Sequence, residues 1–86
     1  MKVYIDTPEN GYSRMTATTI ADLHTFAKEI GLTDPTCYVG DPEEPHYIAS
    51  TRFKKKAIIA GAEEVSRVEM NNIFIKHYSK SKDGNI

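Results

Sequence analysis

Short runs rich in β-branched and aromatic residues alternate along this chain with segments of helical periodicity, and that alternation limits its fold more than any other feature. Val3-Tyr4-Ile5, ended by Asp6 and Pro8, reads as an N-terminal strand. Cys37-Tyr38-Val39 reads as a second, and Glu63-Glu64-Val65 as a third, with Arg14-Met15-Thr16-Ala17 a further extended piece. Between them, Ile20, Leu23, Phe26, Ala27 and Ile30 recur at helical spacing. The order strand, helix, strand, helix, strand, helix predicts a small single α/β domain over residues 1–78. A short, mostly parallel three-stranded sheet with about three helices is expected.

The helix ends carry recognisable signals. Thr18 and Thr19 offer N-cap hydroxyls, Asp22 suits the macrodipole of the first turn, and Gly31 stands where a left-handed C-terminal cap belongs. Ser50 or Thr51 caps a second helix, in which Phe53, Ala57, Ile58 and Ala60 face inward and Lys54, Lys55 and Lys56 outward, with Gly61-Ala62 at its end. Ser66-Arg67-Val68-Glu69 matches a capping box and opens a third helix, with Val68, Ile73, Phe74 and His77 expected near one face. Thr7 to Ser13 and the acidic stretch Gly40 to Pro45 read as loops, and residues 79–86 as a disordered tail.

Charge and cysteine content remove several classes of function. The formal net charge is −1, so any polyanion or phosphate site must be a local patch, and sequence-specific nucleic-acid binding is disfavoured. Cys37 is the one cysteine, which rules out an intramolecular disulfide and a cysteine-built zinc site. No apolar run approaches the ~20 residues of a membrane span, and Met1-Lys2-Val3 leads straight into a strand pattern. A cytoplasmic protein is the expectation. A Walker loop, a dinucleotide glycine fingerprint and a Ser-His-Asp signature are absent.

The chemistry-bearing stretch is Pro45 to Lys56, where His46 and Tyr47 precede a helix start loaded with positive charge. Arg52 and Lys54 there would add to the free N–H groups of the helix N-terminus, and Arg14 offers a forked set of donors to phosphate or carboxylate. Tyr47 could stack on a base or give its hydroxyl to a phosphate. Asp6, at a strand end, suits a metal ligand or general base, and equally a turn cap. His24 flanks the buried stripe of the first helix, where a structural histidine is the commoner case. Asp6, His24 and His46 together would make a two-histidine, one-carboxylate metal site, although nothing in their spacing requires it, and no cofactor is called for. Lys55 and Lys56 suit a solvated helix face, and His77 a surface position.

Three pieces of the chain, spanning roughly residues 3–66, resemble the DUF4031 family, small bacterial and phage proteins of unknown function. They are Val3-Tyr4-Ile5-Asp6 with Arg14-Met15, then Ala21 to Ala27 with Ile30-Gly31-Leu32, then His46-Tyr47 with Lys54 and Ala57 to Ala62. The resemblance implies a common fold and a cluster of polar positions, and raises His24 as a functional candidate. It supplies no activity. For a chain of phage origin it implies a role in sequestering a host nucleotide signal.

The function expected from these readings is binding of a small anionic, nucleotide-like ligand. Arg14, Arg52 and Lys54 would hold its charge, while His46 and Tyr47 contact its ring or ribose. In 86 residues such a pocket is shallow, so completion between the subunits of a homodimer is expected. One alternative is a phosphodiester hydrolase, metal-assisted or metal-independent, using His46 and His24 as acid and base with Asp6 as orienting group. Another is a protein-interaction module without a small ligand, using the Lys54–Lys56 face or the acidic loop at Asp41, Glu43 and Glu44.

Overall fold

The computed structural model describes residues 1–79. In chain order the elements are β1 (Val3–Asp6), β2 (Tyr12–Ala17), α1 (Ile20–Glu29), a 3₁₀ turn (Pro35–Cys37), β3 (Tyr38–Val39), β4 (His46–Ser50), α2 (Thr51–Ile59), β5 (Glu63–Val65) and α3 (Arg67–Tyr78). The strands form one five-stranded sheet in the order β3-β4-β2-β1-β5. The pairings β1–β2, β2–β4 and β3–β4 are antiparallel and only β1–β5 is parallel. The expected three-stranded, mostly parallel sheet is thus corrected to a five-stranded mixed one, within the α/β class.

Two local features account for the difference. Within Thr7 to Ser13, expected to be a loop, Asn10-Gly11 is a two-residue hairpin turn and Tyr12 and Ser13 already belong to β2. Asn10 (φ 55°) and Gly11 (φ 83°) both adopt positive φ, and Glu9 and Tyr12 exchange backbone N–H···O bonds of 2.8 and 3.1 Å across them. Asn-Gly is the pair that a type I′ turn favours, because its backbone twist matches that of the flanking strands. The second feature is β4. His46 to Ser50 alternates, with Tyr47 and Ala49 buried and Ile48 exposed, which is the period of a strand rather than of an approach to a helix.

Helices cover both faces of the sheet. Leu23, Phe26 and Ala27 of α1 and Ala57 of α2 pack on Val3, Ile5, Met15, Ala17, Tyr47 and Ala49. On the other face Met70 and Phe74 of α3 pack with Val65 and the half-buried Tyr4. Burying a Leu or Phe side chain stabilises by roughly 1.5–3 kcal/mol, so both layers contribute to holding the sheet.

The capping expectations for α1 and α3 match the observed ends. Thr19 Oγ1 accepts from the Asp22 N–H at 3.1 Å. At the other end of α1, Gly31 (φ 83°) gives its N–H to the Lys28 carbonyl and Leu32 gives its own to the Ala27 carbonyl, a Schellman motif. Ser66 and Glu69 form both bonds of the capping box. Ser50 is the N-cap of α2, without a side-chain capping bond.

The inward faces of the two later helices differ from expectation. In α3 the buried residues are Met70 and Phe74, with Ile73 half-buried, while Val68 is 69% exposed; His77 is exposed, in keeping with the surface position expected for it. The i, i+4 ridge that meets the sheet is set by where the capping box starts the helix. In α2, Ala57 is buried and Phe53 half-buried, whereas Ile58 and Ala60 are exposed. Lys54 is half-buried rather than outward, because its Nζ is bonded to Glu64 on β5 at 2.6 Å. Of the expected disordered tail, residues from 80 onward lie outside the described residues.

Candidate functional site

Because successive strand residues point to opposite faces, the sheet sorts the candidate residues into two groups. Asp6, Arg14 and His46 lie on the face covered by α3. Tyr47 lies on the face covered by α1 and α2, and His24 reaches it from α1.

On the α3 face, Asp6 is fully buried at the end of β1. Its carboxylate accepts from the Arg14 backbone N–H and from Arg14 Nε, each at 2.7 Å, and Arg67 Nη1 lies 3.6 Å away. The remaining Arg14 donors are also engaged: Nη1 donates to Asn71 Oδ1 at 3.0 Å and Nη2 to the Arg67 carbonyl at 3.3 Å. Arg67 donates to the Thr7 carbonyl and pairs with Glu9 at 3.0 Å. This network ties the β1–β2 hairpin to the start of α3. It leaves Arg14 few donors for a ligand.

His46 stands beside this network, its ring 5.8 Å from that of Phe74, over which Arg14 also lies. Its Nδ1 is 2.6 Å from the Glu44 carbonyl oxygen. A carbonyl only accepts, so Nδ1 carries a hydrogen, and in the neutral ring Nε2 keeps its lone pair.

On the opposite face, His24, Tyr38 and Tyr47 form a packed aromatic trio with ring centroids 4.7, 5.7 and 5.1 Å apart. His24 Nδ1 and the Tyr47 hydroxyl are 2.7 Å apart. Tyr47 is only 8% exposed, and this burial, with the neighbouring Tyr38 as a smaller cause, pushes its hydroxyl pKa up. Beside the trio opens a cavity of about 220 Å³ lined by His24, Lys28, Leu32, Thr33 and Tyr47. Lys28 follows His24 by one helical turn, so both side chains reach the same rim. Asp34, next in sequence to Thr33, turns its carboxylate to the Thr36 N–H and hydroxyl at 2.9 and 2.7 Å and does not line the cavity. Those bonds hold its pKa below the usual carboxylate value.

The structure therefore brings His24 and Tyr47 together, and Asp6 and Arg14 together, and sets His24 across the sheet from His46. Arg52 is exposed, with its guanidinium over the Phe53 ring. Among the described residues no group of three or more His, Cys, Asp or Glu side chains is placed to hold a metal ion. No helix among them is long and apolar enough to cross a membrane.

Lys28, Thr33 and Leu32 were not among the residues expected from sequence, nor were Arg67 and Asn71. The i, i+4 spacing of His24 and Lys28 was a usable signal for the cavity rim. Nothing in the sequence pairs Thr33 with Tyr47, which meet only through the loop after Gly31. Arg67 was visible only as a position inside the capping box.

No curated protein and no solved structure matches the chain. The model of one family, described as a protein of unknown function (DUF4031), matches residues 3–77 of the 86. The chain belongs to the DUF4031 family.

Proposed function

We propose that this protein binds a small anionic, nucleotide-like ligand, whose charged end enters the cavity beside His24 and Tyr47. The observation that carries the reading is the lining itself: an ammonium, an imidazole and the Thr33 hydroxyl beside one apolar side chain, with the Tyr47 hydroxyl bonded to His24 and no carboxylate among them. Donors and a cation without a competing acid favour an anionic guest. Lys28 has no ion-pair partner among the described residues, whereas Lys54 is held by Glu64.

The size of the cavity shapes the proposal. About 220 Å³ is below the ~300–1,000 Å³ typical of small-molecule pockets, so a phosphate or a ring enters while the rest of a nucleotide lies over the surface. A second subunit covering that remainder would complete the site. In a cytoplasmic protein of phage origin, such binding would serve to sequester a nucleotide signal.

A thermal-shift panel of inorganic phosphate, AMP, cyclic dinucleotides and ADP-ribose tests the reading, with amide chemical-shift mapping of each hit and mass spectrometry of the recovered ligand. A ligand at a hundredfold excess over Kd adds about 2.7 kcal/mol of apparent stability. Perturbations should centre on His24, Lys28, Thr33 and Tyr47, and Lys28→Glu should abolish them. Perturbations confined to the His46–Arg67 side would reject this cavity. A ligand recovered cleaved would replace the binder with a hydrolase in which His24 acts without His46, since the two lie on opposite faces of the sheet.

A further inference from the structure

The two histidines that flank the sheet differ in the chemistry of their hydrogen-bond partners. His46 Nδ1 faces a carbonyl, which can only accept. His24 Nδ1 faces the Tyr47 hydroxyl, which can also donate. The two imidazoles are therefore free to differ in what they offer outward.

We infer that Tyr47 is a positioning residue: its hydroxyl donates to His24 Nδ1 and so fixes Nε2–H as the group His24 offers to the cavity. The inference rests on the anion-binding reading above and deepens it. Among the described residues the Tyr47 hydroxyl has no hydrogen-bond partner other than His24, so a phenol hydrogen turned away from it would meet no protein acceptor, and leaving the donor of a largely buried residue unpaired is costly. Burial also keeps the proton on the phenol. The imidazole nitrogen that receives the bond must then be the unprotonated one, and the neutral ring carries its hydrogen on Nε2. That N–H stands at a rim shared with Lys28 and the Thr33 hydroxyl. A ligand meeting both Lys28 and His24 must therefore present an acceptor to each. The pair thus selects oxyanions over neutral or cationic groups whose leading atoms are donors.

Tyr38 packs against the same imidazole, ring centroids 4.7 Å apart, and makes no hydrogen bond to Nδ1, so it supports the orientation without competing for that nitrogen. His46 supplies an internal reference, since its carbonyl partner requires the opposite tautomer.

Long-range ¹H–¹⁵N spectra of the imidazoles, recorded on the free full-length protein and on Tyr47→Phe, test the positioning directly. Titration with sulfate, whose charge is constant near neutral pH, tests its consequence. The expected spectrum shows His24 protonated at Nε2 and His46 at Nδ1, with the His24 preference lost in Tyr47→Phe. Sulfate affinity should fall about fivefold to tenfold in Tyr47→Phe, the scale of one hydrogen bond. His24→Gln, whose amide can donate from near the Nε2 position, should keep most of the affinity. His24→Asn, which reaches only the Nδ1 position, should not. Phe keeps the packed ring, and an unchanged circular dichroism spectrum shows that the variant folds. His24 protonated at Nδ1 would overturn the inference even if sulfate still binds, and so would equal sulfate affinity in Tyr47→Phe. Failure of the anion-binding reading looks different: no perturbation of His24, Lys28 or Thr33 by sulfate or AMP, whatever the tautomer, which removes the inference with it.

Discussion

Arg14 grips Asp6 twice, with its backbone N–H on one carboxylate oxygen and its Nε on the other, both at 2.7 Å. The carboxylate is fully buried and Arg14 carries the same guanidinium on to Asn71 and the Arg67 carbonyl of α3. Removing one member of a buried ion pair leaves the other uncompensated, at a cost of about 3–5 kcal/mol. Asp6→Ala should therefore destabilise by roughly 3 kcal/mol, the lower end because both arginines keep some solvent access. Urea unfolding measures it, through a lowered midpoint at unchanged slope. A loss below about 1 kcal/mol, the scale of a surface pair, would show that the contact is not the anchor of α3.

Much of this architecture was legible because local signals stood alone. The Thr19 cap, the Gly31 Schellman end and the Ser66–Glu69 box each lie within a few residues of sequence, and each is where the pattern placed it. The sheet was less legible for a physical reason. Asn10-Gly11 sits among other loop-forming residues, although as a pair flanked by extended residues it is a hairpin turn. The proline-rich, acidic lead-in to His46 masks the alternation of His46 to Ser50. The cavity was the least legible part, since Lys28, Thr33 and Tyr47 share no local pattern and meet only when α1 docks on β4. Arg14 and Lys54 were identified as cations, but only tertiary contact reveals that Asp6 and Glu64 already hold them.

The hairpin turn gives a sharp test of the sheet. Gly11 has φ 83°, where an L side chain is strained, yet a Cβ built there meets no atom within 4 Å. Gly11→Ala should therefore cost about 1–2 kcal/mol from backbone conformation alone. Differential scanning calorimetry should show a lower Tm, while Asn10→Gly, which keeps the same turn, should be nearly neutral. An unaffected Gly11→Ala would argue that the turn adopts another geometry in solution.

Lys54 provides a control that separates structural cations from ligand-binding ones. Its partner Glu64 is over half exposed, and pairs of that kind contribute about 0–1 kcal/mol. Lys54→Met should keep the stem packed, change stability by under about 1 kcal/mol and leave sulfate or AMP affinity unaltered. Affinity measured by calorimetric titration alongside Lys28→Glu decides the matter. A loss in Lys54→Met comparable to that in Lys28→Glu would move the anion site from α1 to α2.

Alkaline pH should destabilise the fold through two tyrosines. Burial raises the pKa of both Tyr47 and Tyr78 above 10.0, and the Tyr78 hydroxyl donates to the Ala17 carbonyl at 2.5 Å. A group whose folded pKa is raised binds its proton more tightly in the folded state. Its contribution is whole below the unfolded value of 10.0 and is lost as pH rises through the higher folded value. Urea midpoints should thus hold level up to about pH 10 on this account and fall above it, with lysine titration adding a background common to all variants. Subtracting that background is the role of Tyr78→Phe and Tyr47→Phe, each of which should show a shallower decline than the parent protein. Parallel declines in all three would mean that neither phenol is held in its protonated form by the fold.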